Sequence, residues 1–248
     1  MRLITDLPYR DLDGSAHPER WTADLRLPAT DSGDCLIWVH GGGLTEGDKG
    51  DSAIAAPLVA GGWAVITTNY RLLQHAPWPA CIEDIASVVA WARSALTAQG
   101  FTCRRLFLGG VSAGAYLVAM VALDRSWLAV HGLDPACLDG VIPLSGQMTS
   151  HFAYRAAFGH PPERPLIDHA APLWHVRADA PPLLLIAGDD DIPCRPEENQ
   201  YLLAVLRQTG HRAASCHIIP GRTHATIGAG VGDPADPVAK LIHEFIRL

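Results

Sequence analysis

Ser112 has the sequence surroundings of a catalytic nucleophile in this 248-residue chain. Residues 110–114 read G-V-S-A-G, a G-x-S-x-G pattern that follows a short apolar run and precedes a helical pattern. In the order strand, tight turn, helix, such a pattern lifts a strained serine hydroxyl clear of a sheet, ready for nucleophilic attack. The alternative is a Gly-rich turn whose serine merely caps a helix, so the motif needs support from the rest of the chain.

The residues on either side of Ser112 fit the same chemistry. A Cβ at Gly110 or Gly114 would collide with the neighbouring strand or helix. A helix that starts near Ala113 points its unpaired N–H groups and its positive dipole end at the place where an oxyanion would form.

A serine hydroxyl also needs a base and an orienting carboxylate. In one α/β arrangement these follow the serine in the order acid, then histidine, each at the carboxyl end of a strand. Downstream of Ser112, an apolar run at 183–187 leads into three aspartates at 189–191, and the last apolar run leads to His224. A solvated acidic turn and a surface histidine are the separate alternatives, but their joint occurrence in this order favours a Ser-His-Asp triad.

Both choices within the triad have competitors. Asp191 is the preferred acid, because it lies furthest from the strand end and precedes an Ile-Pro pair that can turn its side chain back over the sheet edge. Asp189 and then Asp190 are the alternatives. His224 is preferred as the base over His217, which lies inside the strand pattern and would point into a sheet face.

The run His40-Gly41-Gly42-Gly43 follows another apolar strand pattern. Glycines let the backbone approach closely enough to donate N–H groups to an oxyanion, and each such donor contributes about 2.7–4 kcal/mol. We predict Gly42, Gly43 and the amide of Ala113 as the donors, with His40 orienting the loop by hydrogen bonding. A flexible turn is the alternative.

Apolar runs and helical periodicities alternate along the chain. Strands are predicted at 22–27, 35–39, 63–68, before the serine turn, and at 138–144, 183–187 and 216–219; helices are predicted at 51–60, 80–98, after 113, and at 197–208 and 238–247. This alternation predicts a mostly parallel central sheet with helices on both faces. We expect one domain over residues 1–248, with the irregular, Pro-rich segment 146–181 as a small lid.

Composition and charge limit the function classes. The chain is 48% hydrophobic and 18% charged, with a net charge of −7 and no basic cluster. Nucleic-acid binding is therefore not expected. No apolar segment approaches the roughly 18 residues of a membrane span, and the N-terminal residues lack the apolar core of a signal peptide, so a cytoplasmic location is expected.

The six cysteines include no C-x-x-C pair, and none of the twelve histidines has a recognisable metal-ligand spacing. Buried free thiols are expected, with disulfides as the alternative. No metal or organic cofactor is predicted.

Taken together, these residues resemble the α/β-hydrolases. The similarity is to serine esterases related to hormone-sensitive lipase and to bacterial feruloyl-esterase-like and kynurenine-formamidase-like enzymes. It is carried by residues 40–43, 69–72, 78–91, 110–114, 188–191 and His224. The resemblance implies the α/β-hydrolase fold, Ser112, Asp191 and His224 as the triad, and residues 40–43 as the oxyanion loop.

Three positions depart from that family's pattern. Val111 stands where a polar or charged residue is usual, Leu44 where an aromatic residue is common, and Asn69 where an aspartate is usual. The lipase-like members carry a long N-terminal cap, and His40 comes too early in this chain for one. Residues 146–181 would therefore provide most of any lid.

The leading functional hypothesis is hydrolysis of small carboxylic esters, with short acyl or aryl groups, through an acyl-enzyme. Hydrolysis of an aryl amide such as N-formylkynurenine, using the same triad, is the second. A non-catalytic small-molecule receptor of the same fold is the third, and the histidine at 224 argues against it. The oligomeric state is left open, with a homodimer among the options.

Overall fold

Eight strands form one central sheet in the computed structural model, which describes residues 1–13, 15–50 and 52–247. The strands are β1 Arg2–Pro8, β2 Thr22–Leu27, β3 Asp34–Val39, β4 Ala64–Thr68, β5 Arg105–Val111, β6 Gly140–Leu144, β7 Leu183–Asp190 and β8 Ala214–Thr223. Their spatial order is β1-β2-β4-β3-β5-β6-β7-β8. β2 is antiparallel to both of its neighbours, whereas β4, β3 and β5 to β8 run parallel. The carboxyl ends of the parallel strands therefore meet at one edge of the sheet.

Helices cover both faces of this sheet. They are α1 Ala55–Ala60, α2 Ala80–Ala98, α3 Ala113–Leu123, α4 Ser126–Ala129, α5 Phe152–Ala157, α6 Arg195–Gln208 and α7 Pro237–Phe245. Helices α2, α3 and α6 share one hydrophobic core with the sheet, and α1 and α7 share a second core on its other face. The predicted mostly parallel sheet with helices on both faces is confirmed.

Strand β5 and helix α3 lie at the centre of the molecule. Along β5, Leu106 and Leu108 belong to one core and Phe107 to the other, because successive side chains of a strand point to opposite faces. Every residue of α3 is buried. A helix that is apolar all round must be covered on all sides, so the serine turn between β5 and α3 leads into a fully buried helix.

Strand β1 was not predicted. Most of its side chains are exposed, its pairing with β2 shifts register between Ile4 and Leu7, and Asp6 has a φ of 57°. An exposed edge strand with a bulge lacks the alternating apolar pattern that identifies a strand. The other predicted elements agree with the observed ones to within a few residues, and Asp51, which begins the helix predicted at 51–60, lies outside the described residues.

The six cysteines are free. Cys35 and Cys81 are buried, as expected, but Cys194 is exposed at the start of α6, and the remaining three are half-buried. The expectation of buried thiols was therefore wrong for Cys194. Among the described residues, no helix is both long enough and apolar enough to cross a bilayer.

The segment 146–181 contains one α-helix, α5, among the described residues. Its first residues, 146–151, are buried, whereas residues 156–165 are exposed. The segment is thus anchored at its beginning and loosely packed in its middle. Its role as a lid stays a prediction.

Candidate active site

Ser112 occupies a strained turn between β5 and α3. Its backbone has φ 55° and ψ −114°, a conformation that non-glycine residues rarely adopt. A Cβ at Gly110 would lie 2.7 Å from the carbonyl carbon of Gly114, and a Cβ at Gly114 would collide with the carbonyl of Val39. The two glycines allow the close packing that the sequence predicts, and this packing holds the strained serine in place.

Three predicted side chains form a continuous hydrogen-bonded chain at the carboxyl edge of the sheet. Ser112 Oγ lies 2.8 Å from His224 Nε2, and His224 Nδ1 lies 2.6 Å from Asp191 Oδ1. His224 follows β8 and Asp191 follows β7. The Asp191 side chain is fully buried, whereas that of His224 is 28% exposed. An accessible histidine between a buried acid and a serine is the arrangement that proton transfer to and from a ligand requires.

The Asp191 carboxyl is held in its ionised form. Burial acts to raise its pKa, but hydrogen bonds from His224, Ser145 and the Ile192 amide outweigh burial and keep the pKa below its ordinary value. Because an ionised carboxylate only accepts hydrogen bonds, the His224 proton belongs on Nδ1. Nε2 is then free to accept the proton of Ser112.

The competing residues lie elsewhere. Asp189 and Asp190 are exposed, and Asp189 Oδ1 accepts a hydrogen bond from the Gly221 amide at 2.7 Å, which ties the end of β7 to β8. His217 lies within β8, opposite Ile186 of β7. The structure thus brings Asp191 and His224 to Ser112 and leaves the alternatives outside this chain of hydrogen bonds.

Ser145 is a member of the site that the sequence analysis missed. Its hydroxyl donates to Asp191 Oδ2, and its Oγ lies 2.9 Å from His224 Nδ1. It follows β6 with a φ of 57°, and its carbonyl accepts a hydrogen bond from Arg195 Nη1 at 3.0 Å. Its only signal in the sequence is its place directly after a predicted strand, and that signal becomes useful once β6 is known to lie beside β5.

We expect loss of the Ser145 hydroxyl to lower kcat for ester hydrolysis by about 10- to 100-fold, because hydrogen bonds to charged groups contribute about 1.5–3 kcal/mol. The test compares Ser145→Ala, which keeps the backbone strain, with Ser145→Gly, which relieves it. Both variants lack the hydroxyl, so both should lose kcat with little change in KM. Wild-type kcat in the glycine variant would show that the hydroxyl does not position the histidine.

The glycine loop after β3 lies directly against the serine turn. A Cβ at Gly41 would lie 3.2 Å from Ser112 Cβ, and Gly42 and Gly43 have φ values of +102° and +61°. Such φ values are easily reached by glycine but are costly for other residues. Of the predicted oxyanion donors, Gly42 and Gly43 line the same cleft as Ser112, and Ala113 is the next residue after it in the chain.

His40 holds this loop in place and does not touch Ser112. Its Nδ1 donates to the Gly41 carbonyl at 2.7 Å, and its Nε2 accepts from Arg20 Nη2 at 3.3 Å. The ring stacks on Tyr70, with the centroids 4.4 Å apart. Burial lowers the His40 pKa to about 4, and the Arg20 charge acts in the same direction. His40 is thus neutral at neutral pH, as an acceptor from arginine must be.

Asn69 has a structural reason for replacing the usual aspartate. Its Oδ1 accepts from the Lys49 amide at 2.7 Å, and its Nδ2 donates to Asp48 Oδ2 at 2.9 Å and to the Glu19 carbonyl at 3.1 Å. An aspartate could not donate these two bonds and would repel Asp48. The departure at position 69 therefore stabilises the turn beside the cleft.

An open cleft of about 730 Å³ exposes Ser112 and His224 to solvent. Its lining includes the glycine loop, Val111, Glu46 and Asp48, and the exposed side chains of Phe152 and Ile192. This volume suits a small molecule. Within the described residues, no group of three or more His, Cys, Asp or Glu side chains is arranged to hold a metal ion.

Solved structures share this architecture over almost the whole chain. A truncated carbohydrate esterase from gut microbiota superposes with a TM-score of 0.77 at 21% identity. The aligned region covers 100% of this chain and 95% of the esterase chain. Esterase 2 of the planctomycete Thermogutta terrifontis, solved with propionate, has a TM-score of 0.77 at 19% identity. The aligned region covers 98% of this chain and 93% of the Thermogutta chain. The chain has the α/β-hydrolase fold. At these identities the structural likeness establishes that fold and no more.

Sequence comparisons relate this chain to esterases. A family model described as BD-FAE matches residues 23–141. Esterase LipC of Mycobacterium tuberculosis is 27% identical over 85% of the chain and 56% of its own length. Esterase LipQ of the same organism is 27% identical over 77% of the chain and 49% of its own length. The chain thus spans about half the length of the curated relatives that it matches.

Proposed function

We propose that this α/β-hydrolase cleaves carboxylic esters through an acyl-enzyme. The observation that carries the proposal is the hydrogen-bonded chain from Ser112 Oγ to His224 Nε2 and from His224 Nδ1 to Asp191, at 2.8 and 2.6 Å. This is the geometry of a nucleophile, its general base and an orienting carboxylate. The esterase names of the relatives support the same reaction class.

In the first half-reaction, Ser112 Oγ attacks the ester carbonyl while His224 Nε2 takes its proton. The resulting imidazolium is stabilised by the Asp191 carboxylate and then donates its proton to the departing alcohol. In the second half-reaction, His224 removes a proton from water, which attacks the acyl-serine. The second tetrahedral intermediate then collapses: the bond between the acyl carbon and Ser112 Oγ breaks, Oγ takes the proton back from His224, and the acid is released.

The negative charge of each tetrahedral intermediate is assigned to the amides of Gly42, Gly43 and Ala113. Two of them come from the glycine loop, and the third from the first residue of α3, where the helix dipole adds to the hydrogen bond. These amides are already in position before a substrate binds, because His40 and the strained serine turn fix the backbone on both sides. Preorganised donors avoid reorganisation when the charge develops.

The proposed substrate is a small ester with a short acyl or aryl group, and the chemistry requires no metal or organic cofactor. The open cleft is bounded by Phe152 and Ile192 rather than by a deep apolar tunnel. A cytoplasmic location, a lid at 146–181 and the lack of a nucleic-acid partner stay predictions from the sequence, and the oligomeric state stays open.

Acyl-chain length is expected to limit turnover. Because the cleft offers only a short apolar wall, p-nitrophenyl esters from acetate to hexanoate should be hydrolysed with a higher kcat/KM than the palmitate ester. The measurement is kcat/KM across the series at concentrations below micelle formation. A value that keeps rising up to palmitate would show that the acyl site is that of a lipase.

Labelling with a small fluorophosphonate, followed by mass spectrometry of the modified peptide, tests the proposed function. We expect a stoichiometric adduct on Ser112, because the reagent reacts with a serine activated by histidine. A non-catalytic receptor of the same fold should stay unlabelled. Matched aryl acetate and N-formyl anilide substrates then separate esterase from formamidase activity.

A further inference from the structure

A second, smaller pocket adjoins the cleft at Val111 and His224. It measures about 370 Å³, and we call it the Gly228 pocket. Its walls are formed mainly by Trp38, Val111, His224, Gly228, Ala229 and Val231. The side chains that line it include no charged residue. Because Val111 and His224 also line the 730 Å³ cleft, the two cavities meet at these residues, next to Ser112.

The glycine at position 228 is not required by the backbone. Its φ lies outside the left-handed region that favours glycine. A Cβ there would lie 3.6 Å from Val111 Cγ2 and 3.9 Å from Leu144 Cδ2, which is ordinary van der Waals contact. Gly110 and Gly114, by contrast, have no room for a Cβ. What the missing side chain of Gly228 provides is space beside Val111.

The shape of the pocket limits what it can hold. Trp38 and Val231 are each 4% exposed and form its bottom, whereas Ala229 at its rim is exposed. Val111, which replaces the polar residue usual in similar esterases, keeps the wall nearest to Ser112 apolar. A pocket of this size, lined by apolar side chains apart from His224, favours a short apolar group and disfavours a charged or very long one.

We propose that the Gly228 pocket binds a short apolar group attached to the ester of the substrate, and that Gly228 and Val111 determine how long that group can be. This assignment rests on the proposed esterase function. The group is either the acyl chain or the alcohol of the ester, since both lie next to the carbonyl carbon that Ser112 attacks. Each methylene buried in the pocket should raise kcat/KM by a factor of about four.

The experiment fills the pocket from position 228. Gly228→Ala and Gly228→Leu are compared with Ala235→Leu, which adds similar bulk at an exposed position that does not line the pocket. One substrate series varies the alcohol of acetate esters from methyl to butyl and hexyl, and the other varies the acid of methyl esters from acetyl to butanoyl and hexanoyl. Fluorophosphonate labelling of Ser112 reports on the integrity of the triad in each variant.

We expect Gly228→Leu to lower kcat/KM for the longer members of one series at least tenfold relative to methyl acetate. Gly228→Ala should act in the same direction with a smaller effect, and Ala235→Leu should match the wild type. The affected series identifies the bound group. If Gly228→Leu abolishes fluorophosphonate labelling of Ser112, the chain-length preference of Gly228→Ala decides the test.

Unchanged chain-length preference in both series, in a variant that still labels at Ser112, would overturn the Gly228 pocket and leave the esterase proposal standing. Wild-type protein that neither labels nor hydrolyses any of the esters would overturn the proposed function and this assignment with it.

Discussion

Replacement of Ser112 by alanine is expected to lower kcat toward p-nitrophenyl acetate by about 10⁶, the loss that follows removal of the nucleophile from a comparable triad. Without Oγ, no acyl-enzyme can form, and His224 has no hydroxyl to deprotonate. The residual rate would reflect only the oxyanion donors and substrate binding. The measurement is steady-state turnover together with fluorophosphonate labelling, which should be absent.

The Ser112→Ala variant should still fold, because alanine occupies the same cramped turn with one atom fewer. Far-ultraviolet circular dichroism and the thermal midpoint check this. Ser126→Ala is a matched control, since Ser126 is an exposed serine whose hydroxyl bonds Asp124, and this variant should keep wild-type turnover. Retention of a tenth of the wild-type activity by Ser112→Ala would remove Ser112 from the proposed mechanism.

Replacement of Asp191 by asparagine is expected to lower kcat by about 10⁴, because the histidine would no longer be held in the tautomer that accepts the serine proton. Asp191 receives the Nδ1 proton of His224 and is fully buried. An amide in its place can donate to Nδ1, and the proton would then move to Nε2, which faces Ser112. Loss of the Asp191 carboxylate should therefore lower kcat and leave KM nearly unchanged.

The two neighbouring aspartates provide controls within the same loop. Asp190→Asn should be almost neutral, since surface substitutions usually change stability by less than about 0.5 kcal/mol. The kcat of Asp189→Asn should lie between those of Asp190→Asn and Asp191→Asn, because Asp189 accepts a hydrogen bond from the Gly221 amide that joins the ends of β7 and β8. A dead Asp189→Asn beside an active Asp191→Asn would reassign the acid and leave Ser112 and His224 in their proposed roles.

Local patterns in the sequence were sufficient for the fold class and for the residue types of the site. The alternation of apolar runs with helical periodicity predicted the parallel sheet and both helix layers, because each element had to bury its own apolar face. The tight turn at 110–114 identified Ser112, since its glycines are dictated by packing within a few residues. The Ile-Pro pair after Asp191 likewise indicated, over a short distance, which aspartate would turn back.

Tertiary structure decided the contacts between residues far apart in the sequence. Ser145 joins Asp191 and His224 only because β6 lies between β5 and β7, and strand order is a property of the whole sheet. The support of His40 by Arg20, and the space that Gly228 leaves beside Val111, likewise depend on residues brought together from separate elements. No local pattern in a single sequence identifies such pairs, because the energy that selects them arises only when the sheet assembles and its loops pack together.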